Sequence, residues 1–194
     1  MIKEVKFREI KPEIRVLGVD DCPFKPLSHG SVDVVGVVYR GGYWLDGIMT
    51  TEVQIDGLDA TEKIAKMIVD SPHYDQLRVI MLNGITFAGF NVVSIRKLFN
   101  KTRLPVIVLT KEKPDLEEIR VALRKLPQWR SRWKAMIEAG EIFTLKTRRN
   151  AEPLSMQIMG ISRQDAEKIV KMTCTRSSIP EAVRVAHIIA SGIA

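Results

Sequence analysis

The chain has 194 residues, 45% of them hydrophobic and 27% charged, which is long enough for one domain with a sizeable core and is the composition of a globular rather than a disordered chain. No apolar run approaches the length of a bilayer span, and residues 1–10 mix charges where a signal peptide needs an apolar stretch, so a cytoplasmic protein with no membrane association is expected. The formal net charge of +7 tilts the partner toward a polyanion such as nucleic acid, and the two cysteines, Cys22 and Cys174, lack metal-ligand spacing and read as free thiols.

Residues 15–19 read as a buried strand that closes on two adjacent acids, Asp20 and Asp21, before a Cys22-Pro23 stop. Neighbouring carboxylates at the end of an apolar strand repel each other and resist desolvation, so they call for a cation, a dipole or water. A solvated turn is the simpler alternative. Residues 32–40 and 43–55 are β-rich, and Gly41-Gly42 between them supplies a hairpin turn, which predicts an antiparallel three-strand meander ending at Asp56-Gly57. A helix follows over about 59–69, with Asp59 as its cap.

Residues 77–82 form a short, unalternating apolar run that suits a strand buried on both faces, and it ends at Asn83-Gly84. A loop or irregular turn over 85–90 leads into a helix over 92–99. Residues 106–109 are a further buried strand, left through Thr110-Lys111. Charged helices are expected over 115–126 and 129–139, then a weak strand over 142–145 and a basic turn at 146–149. Ser162 caps the next helix, and a Ser178–Glu181 capping box opens the last, over about 180–193. That final helix is apolar nearly all round, so His187 on it is expected to be enclosed.

A helical crossover makes the fourth strand parallel to the first, and the meander makes the third parallel to it as well. Asp20, Asp21, Asp56, Asn83 and Lys111 therefore all fall just past the C-terminal ends of strands that point one way, the margin where open sheets place their sites. Oxygen ligands from several acids suit Mg²⁺ or Mn²⁺, and a lysine there can hold a phosphate. His187 is either a hydrogen-bonded core residue or a group that orients water or an ion. Arg184 either binds phosphate or pairs with an acid at the helix start. Within the basic helical elaboration at about 113–150, Arg130, Arg132, Lys134, Lys146, Arg148 and Arg149 lie near Trp129 and Trp133. These either track a nucleic-acid backbone or form a solvated face whose tryptophans pack inward.

Gly18-Val19-Asp20, Leu82-Asn83-Gly84, the run from Leu104 to Lys111, Gly160-Ile161-Ser162 and the run from Ile179 to His187 resemble the motifs of endonuclease V, in order and rough spacing. Over its whole length the chain is most similar to the archaeal family catalogued as domain of unknown function 99, a distant relative of endonuclease V. The resemblance implies an RNase H-like α/β fold: a mixed sheet, with the antiparallel meander followed by parallel strands, flanked by helices. It also implies a Mg²⁺- or Mn²⁺-dependent nuclease that hydrolyses phosphodiester bonds, with Asp20 as metal ligand, Asp56 in place of a glutamate, Lys111 as the active-site lysine and His187 near the metal. Asn83 and Asp21 complete the expected ligand set. The chain departs from that family where Asn83 replaces an aspartate, where Ile161 replaces a histidine, and where the strand-parting wedge is absent from residues 51–55. A nucleic-acid binder that keeps the fold without the reaction is the alternative expectation.

Overall fold

The computed structural model describes residues 4–25 and 28–193. The meander forms as expected, from β1 (Arg15–Asp21), β2 (Ser31–Arg40) and β3 (Trp44–Gln54), each antiparallel to the one before. Helix α1 (Ala60–Val69) follows, then a single 3-10 turn (Tyr74–Gln76) and β4 (Val79–Asn83). The stretch after β4 is largely bend and turn, as expected, but contains short pairing that the sequence did not show. This pairing is a minimal hairpin of β5 (Thr86–Phe87) and β6 (Asn91–Val92), and helix α2 (Ile95–Thr102) starts three residues later than the sequence predicts, capped by Ser94. Next come β7 (Val106–Thr110), α3 (Leu116–Leu123), α4 (Trp129–Glu138), β8 (Phe143–Leu145), β9 (Leu154–Met159), α5 (Arg163–Thr173) and α6 (Glu181–Ile193).

The main sheet has seven strands in the order β3-β2-β1-β4-β7-β9-β8. β1, β4 and β7 run parallel and are buried on both faces, which is why their sequences are continuous apolar runs. β9 was not foreseen. It pairs antiparallel with β7 from Val106↔Met159 to Thr110↔Ser155 and carries β8 at its outer edge, so the sheet does not end in parallel strands. Its sequence, Leu154-Ser-Met-Gln-Ile-Met159, mixes polar and apolar residues because only its first half is buried.

Two helical layers sandwich the sheet. Leu17 and Val19 share a cluster with Ile64 and Ile68 of α1 and Leu98 of α2. Val16, on the other face of β1, packs with Ile169 and Val170 of α5 and Ala182 and Val183 of α6. Alternation along a strand therefore directs Asp20 toward α6 and Asp21 toward the opposite face. A third, small cluster of Val92, Leu123 and Met136 seats α3 and α4, with Trp129 and Trp133 packed partly against it.

Asp59 takes the N-cap position of α1 as expected, but its side chain makes no capping bond to the helix. Its carboxylate accepts from Gln54 N–H and Asn91 Nδ2, and the first helical amide, Ala60 N–H, is taken by Asn91 Oδ1 instead. The hairpin after β4 thus terminates a helix that follows β3. Among the described residues no helix is long and apolar enough to cross a membrane.

Candidate active site

Gly18 determines where the site forms. A Cβ placed there would lie 2.1 Å from the Ala182 carbonyl carbon and 2.4 Å from Val183 N, so the α6 backbone rests directly on β1. Two residues further along β1, about 7 Å, lies Asp20; five residues along α6, about 7.5 Å, lies His187. The two elements run together and deliver these side chains to one point.

There His187 Nδ1 is 2.8 Å from Asp20 Oδ2. The same oxygen accepts from Asn83 Nδ2 at 2.9 Å, while Asp20 Oδ1 accepts from Asp21 N–H at 3.1 Å. Asn83 is in place because the parallel register sets Val19 opposite Leu82, one residue short of both polar termini. The Asp20 side chain is 5% exposed and His187 is 62% exposed. The expectation that His187 is enclosed is corrected: α6 buries Ala182, Val183, Ala186 and Ala190 and turns His187 and Ile188 outward. Burial raises the Asp20 carboxyl above its ordinary value, opposed by the hydrogen bonds from Asn83 and His187. Asp20, Asn83, His187, Phe24 and Ser191 line an open cleft of about 370 Å³.

Asp21 faces the other way and accepts from Ala88 N–H at 2.7 Å through Oδ2. Burial pushes its carboxyl up to about 6, and the neighbouring Asp20 charge adds to the rise. The carbonyl of Ala88 in turn accepts from Asp56 N–H at 2.8 Å, and Asp56 Oδ1 accepts from Phe90 N–H at 2.8 Å. Asp21 and Asp56 therefore grip the 88–90 turn from two sides. β3 runs three residues past Thr51, which lies across β2 from Asp21, and Asp56 then bends back so that its described bonds are to the 88–90 turn. No group of three His, Cys, Asp or Glu side chains is arranged to enclose a metal ion among the described residues. The donors present, one buried carboxylate, an amide and an imidazole, fit an ion shared with a substrate phosphate rather than one caged by the protein.

Lys111 lies one residue past β7, exposed at the same margin, two strand spacings or about 10 Å of backbone from Asp20. Of the cations expected to track phosphates, Arg130, Lys134, Lys146, Arg148 and Arg149 are exposed. Arg132 is not: it is 3% exposed, with its donors turned inward onto main-chain carbonyls. Arg184 pairs with Glu181 through Nε at 3.0 Å and Nη2 at 2.6 Å, so the helix-start ion pair is the reading the geometry takes. Trp129 and Trp133 are half-buried, with Arg124 and Arg130 over the first ring and Arg120 over the second.

Sequence reasoning missed a second pocket of about 180 Å³ with mainly apolar walls, formed where the ends of β4 and β7 meet α3 and α4. Gly84, Ile85, Phe90, Leu116, Ile119 and Met136 are among its lining residues, with Thr86, Thr110 and Ser155 as polar groups. No local pattern announces it, since its walls come from seven separate segments.

A family model described as Endonuclease dU matches residues 12–194. A UPF0215 protein of Methanothermobacter thermautotrophicus is 53% identical over 188 residues, covering 96% of this chain and 91% of its own length. A crystallised protein of Archaeoglobus fulgidus superposes with a TM-score of 0.82 at 40% identity, covering 92% of this chain and 97% of that one. The Ciona intestinalis endonuclease V, crystallised in complex with a 23mer DNA containing an inosine, gives a TM-score of 0.58 at 16% identity, over 89% of this chain and 82% of that one. The last likeness shows the fold, which is RNase H-like.

Proposed function

The chain belongs to the Endonuclease dU family, and from that premise we propose that it is a nuclease that hydrolyses a phosphodiester bond beside an altered base, with Asp20 at the centre of the reaction. The observation that carries this reading is the Asp20 carboxylate, buried yet held at a cleft margin by Asn83 and His187. A carboxylate fixed by two side chains and a backbone N–H at the C-terminal ends of parallel strands is preorganised for electrostatic work, since its orientation requires no rearrangement during the reaction.

Asp20 and the Asn83 amide would hold a Mg²⁺ or Mn²⁺ ion together with the scissile phosphate. When bound, such an ion polarises the phosphoryl oxygens and lowers the pKa of coordinated water. His187, exposed to the cleft and anchored by Asp20, is placed to exchange a proton with water: a water oxygen bonds to phosphorus, one P–O ester bond breaks, and the departing oxygen takes up a proton. Lys111 contacts phosphate from the same margin, and Arg130, Lys134, Lys146, Arg148 and Arg149 follow the backbone. The apolar pocket is smaller than the roughly 300–1,000 Å³ of ordinary ligand clefts, so its occupant is smaller than a nucleotide. A single unstacked base meets that limit, and the family's name points to deoxyuridine.

The test is cleavage of single-stranded and duplex oligonucleotides carrying deoxyuridine, inosine or neither, with Mg²⁺ or Mn²⁺, by wild type and Asp20→Asn. Cleavage beside deoxyuridine that Asp20→Asn abolishes supports the reading. Cleavage that survives Asp20→Asn overturns it. Salt-sensitive binding with no cleavage favours a non-catalytic nucleic-acid binder, a reading favoured by the neutral Asn83 amide that stands beside Asp20.

A further inference from the structure

We propose that Arg132 is a positioning residue: a buried guanidinium that fixes the pocket wall against the Asp56 segment and thereby sets which base the pocket accepts. This rests on the reading of the apolar pocket as a base site.

Arg132 lies on α4 between Arg130 and Lys134, which face solvent, but is itself buried. Its Nη1 donates to Gly57 O at 2.6 Å and Phe90 O at 2.5 Å, its Nη2 to Asp56 O at 2.6 Å, and its Nε to Pro127 O at 3.2 Å. One side chain thus joins the segment after β3, the turn after β5 and the start of α4. All four acceptors are neutral carbonyls. Burial disfavours the charged guanidinium and the nearby Asp56 carboxylate only partly offsets that cost, so the arrangement is better explained by the geometry it enforces. Donors spread over three nitrogens of a planar fork reach four carbonyls on three segments, and a lysine ammonium, with three donors on a single nitrogen, cannot copy that spread.

That geometry bears on the pocket. Phe90, whose carbonyl Arg132 binds, and Met136, one turn along α4 from Arg132, both line it. The segments being tied also need external support. Asp56, Ala88 and Gly89 have φ of 50°, 44° and 86°, so two non-glycine residues are held in the left-handed region. Asp56 is secured through its N–H, its carboxylate and its carbonyl, and the last of these bonds belongs to Arg132. Without the guanidinium, α4 and the turn are free to separate and the pocket loses its fit.

Arg132→Lys and the more drastic Arg132→Met test this in the full-length chain by amide hydrogen exchange and by kinetics. In Arg132→Lys the amides of Asp56, Ala88 and Phe90 are expected to lose protection while those of β1 and β4 keep theirs. The ratio of kcat/KM for a deoxyuridine strand over an unmodified strand should fall about tenfold, as expected for a binding wall displaced by an ångström or less. Affinity for the unmodified strand at low salt should stay unchanged, because Arg130 and Lys134 remain. Unaltered protection of the turn in both variants overturns the proposal. So does a loss of unmodified-strand binding equal to that of Arg130→Gln, which would make Arg132 a phosphate contact. A wild-type chain that does not distinguish the two strands refutes the base pocket, and the exchange experiment then still decides whether Arg132 holds the turn.

Discussion

Gly18→Ala is the sharpest test of how the site is assembled. The new Cβ would sit 2.1 Å from Ala182 C, 2.3 Å from Ala182 O and 2.4 Å from Val183 N, all backbone atoms that no rotamer change can move aside. Restoring ordinary contact at 3.4 Å from 2.1 Å requires α6 to retreat by 3.4 − 2.1 = 1.3 Å. Added to the 2.8 Å bond between His187 and Asp20, that retreat takes the pair to roughly 4 Å, outside hydrogen-bonding range. Overpacking of this kind costs about 1–3 kcal/mol. For a chain of this size each kcal/mol lowers Tm by about 2–4 °C, so a drop on the order of 2–12 °C is expected. Activity should fall further than stability accounts for, by about 10- to 100-fold at a temperature where the variant is fully folded. Gly192→Ala, also on α6, meets nothing within 4 Å and is the control: it should be neutral or stabilise by up to about 1 kcal/mol. Thermal unfolding by circular dichroism and a cleavage assay on the same preparations give both readings. A Gly18→Ala variant with wild-type Tm and wild-type turnover would refute the claim that α6 must touch β1.

Three further outcomes are expected. The Asp21 carboxyl titrates near 6 in the fold against an ordinary 3.8, so the folded chain holds its proton more tightly and stability falls as pH climbs from about 4 to about 6 and then levels. Asp21→Asn keeps an acceptor for Ala88 N–H without the buried charge. Its Tm at about pH 7 should therefore exceed that of wild type, by up to the equivalent of about 3 kcal/mol, with the advantage vanishing below about pH 4. Asn83→Asp sets a second carboxylate beside Asp20; calorimetry should find it less stable than wild type without divalent ions and show a larger rise in Tm on adding Mn²⁺. Removing the exposed charges in the double variant Arg130→Gln/Lys134→Gln should weaken single-strand binding evenly across sequences and reduce the slope of log K against log salt by about 1.4, measurable by fluorescence anisotropy. An unchanged slope would show that α4 does not face the backbone.

The sequence alone determined the elements whose signals are local. The unbroken apolar runs of β1, β4 and β7, the Gly41-Gly42 hairpin and the Ser162 cap each depend on neighbours within a few residues, so their positions were legible to within a residue or two. Asp20 and Asn83 could be placed at one sheet margin for the same reason: two parallel strands ending at the same level bring their last side chains together. The tertiary structure decided what depends on remote contacts. β9 is a strand because β7 and β8 flank it, not because its mixed residues demand it. Arg132 reads as one more surface cation in a basic run, and only the packing of α4 against the segments at 56–57 and 90 turns it inward. His187 reads as buried from the apolar helix around it, yet the close seat of α6 on Gly18 directs it outward, beside Asp20. Side-chain periodicity reports which face of an element is apolar; it carries no information about which distant carbonyl or carboxylate meets the polar groups on that element, and the site depends on those meetings.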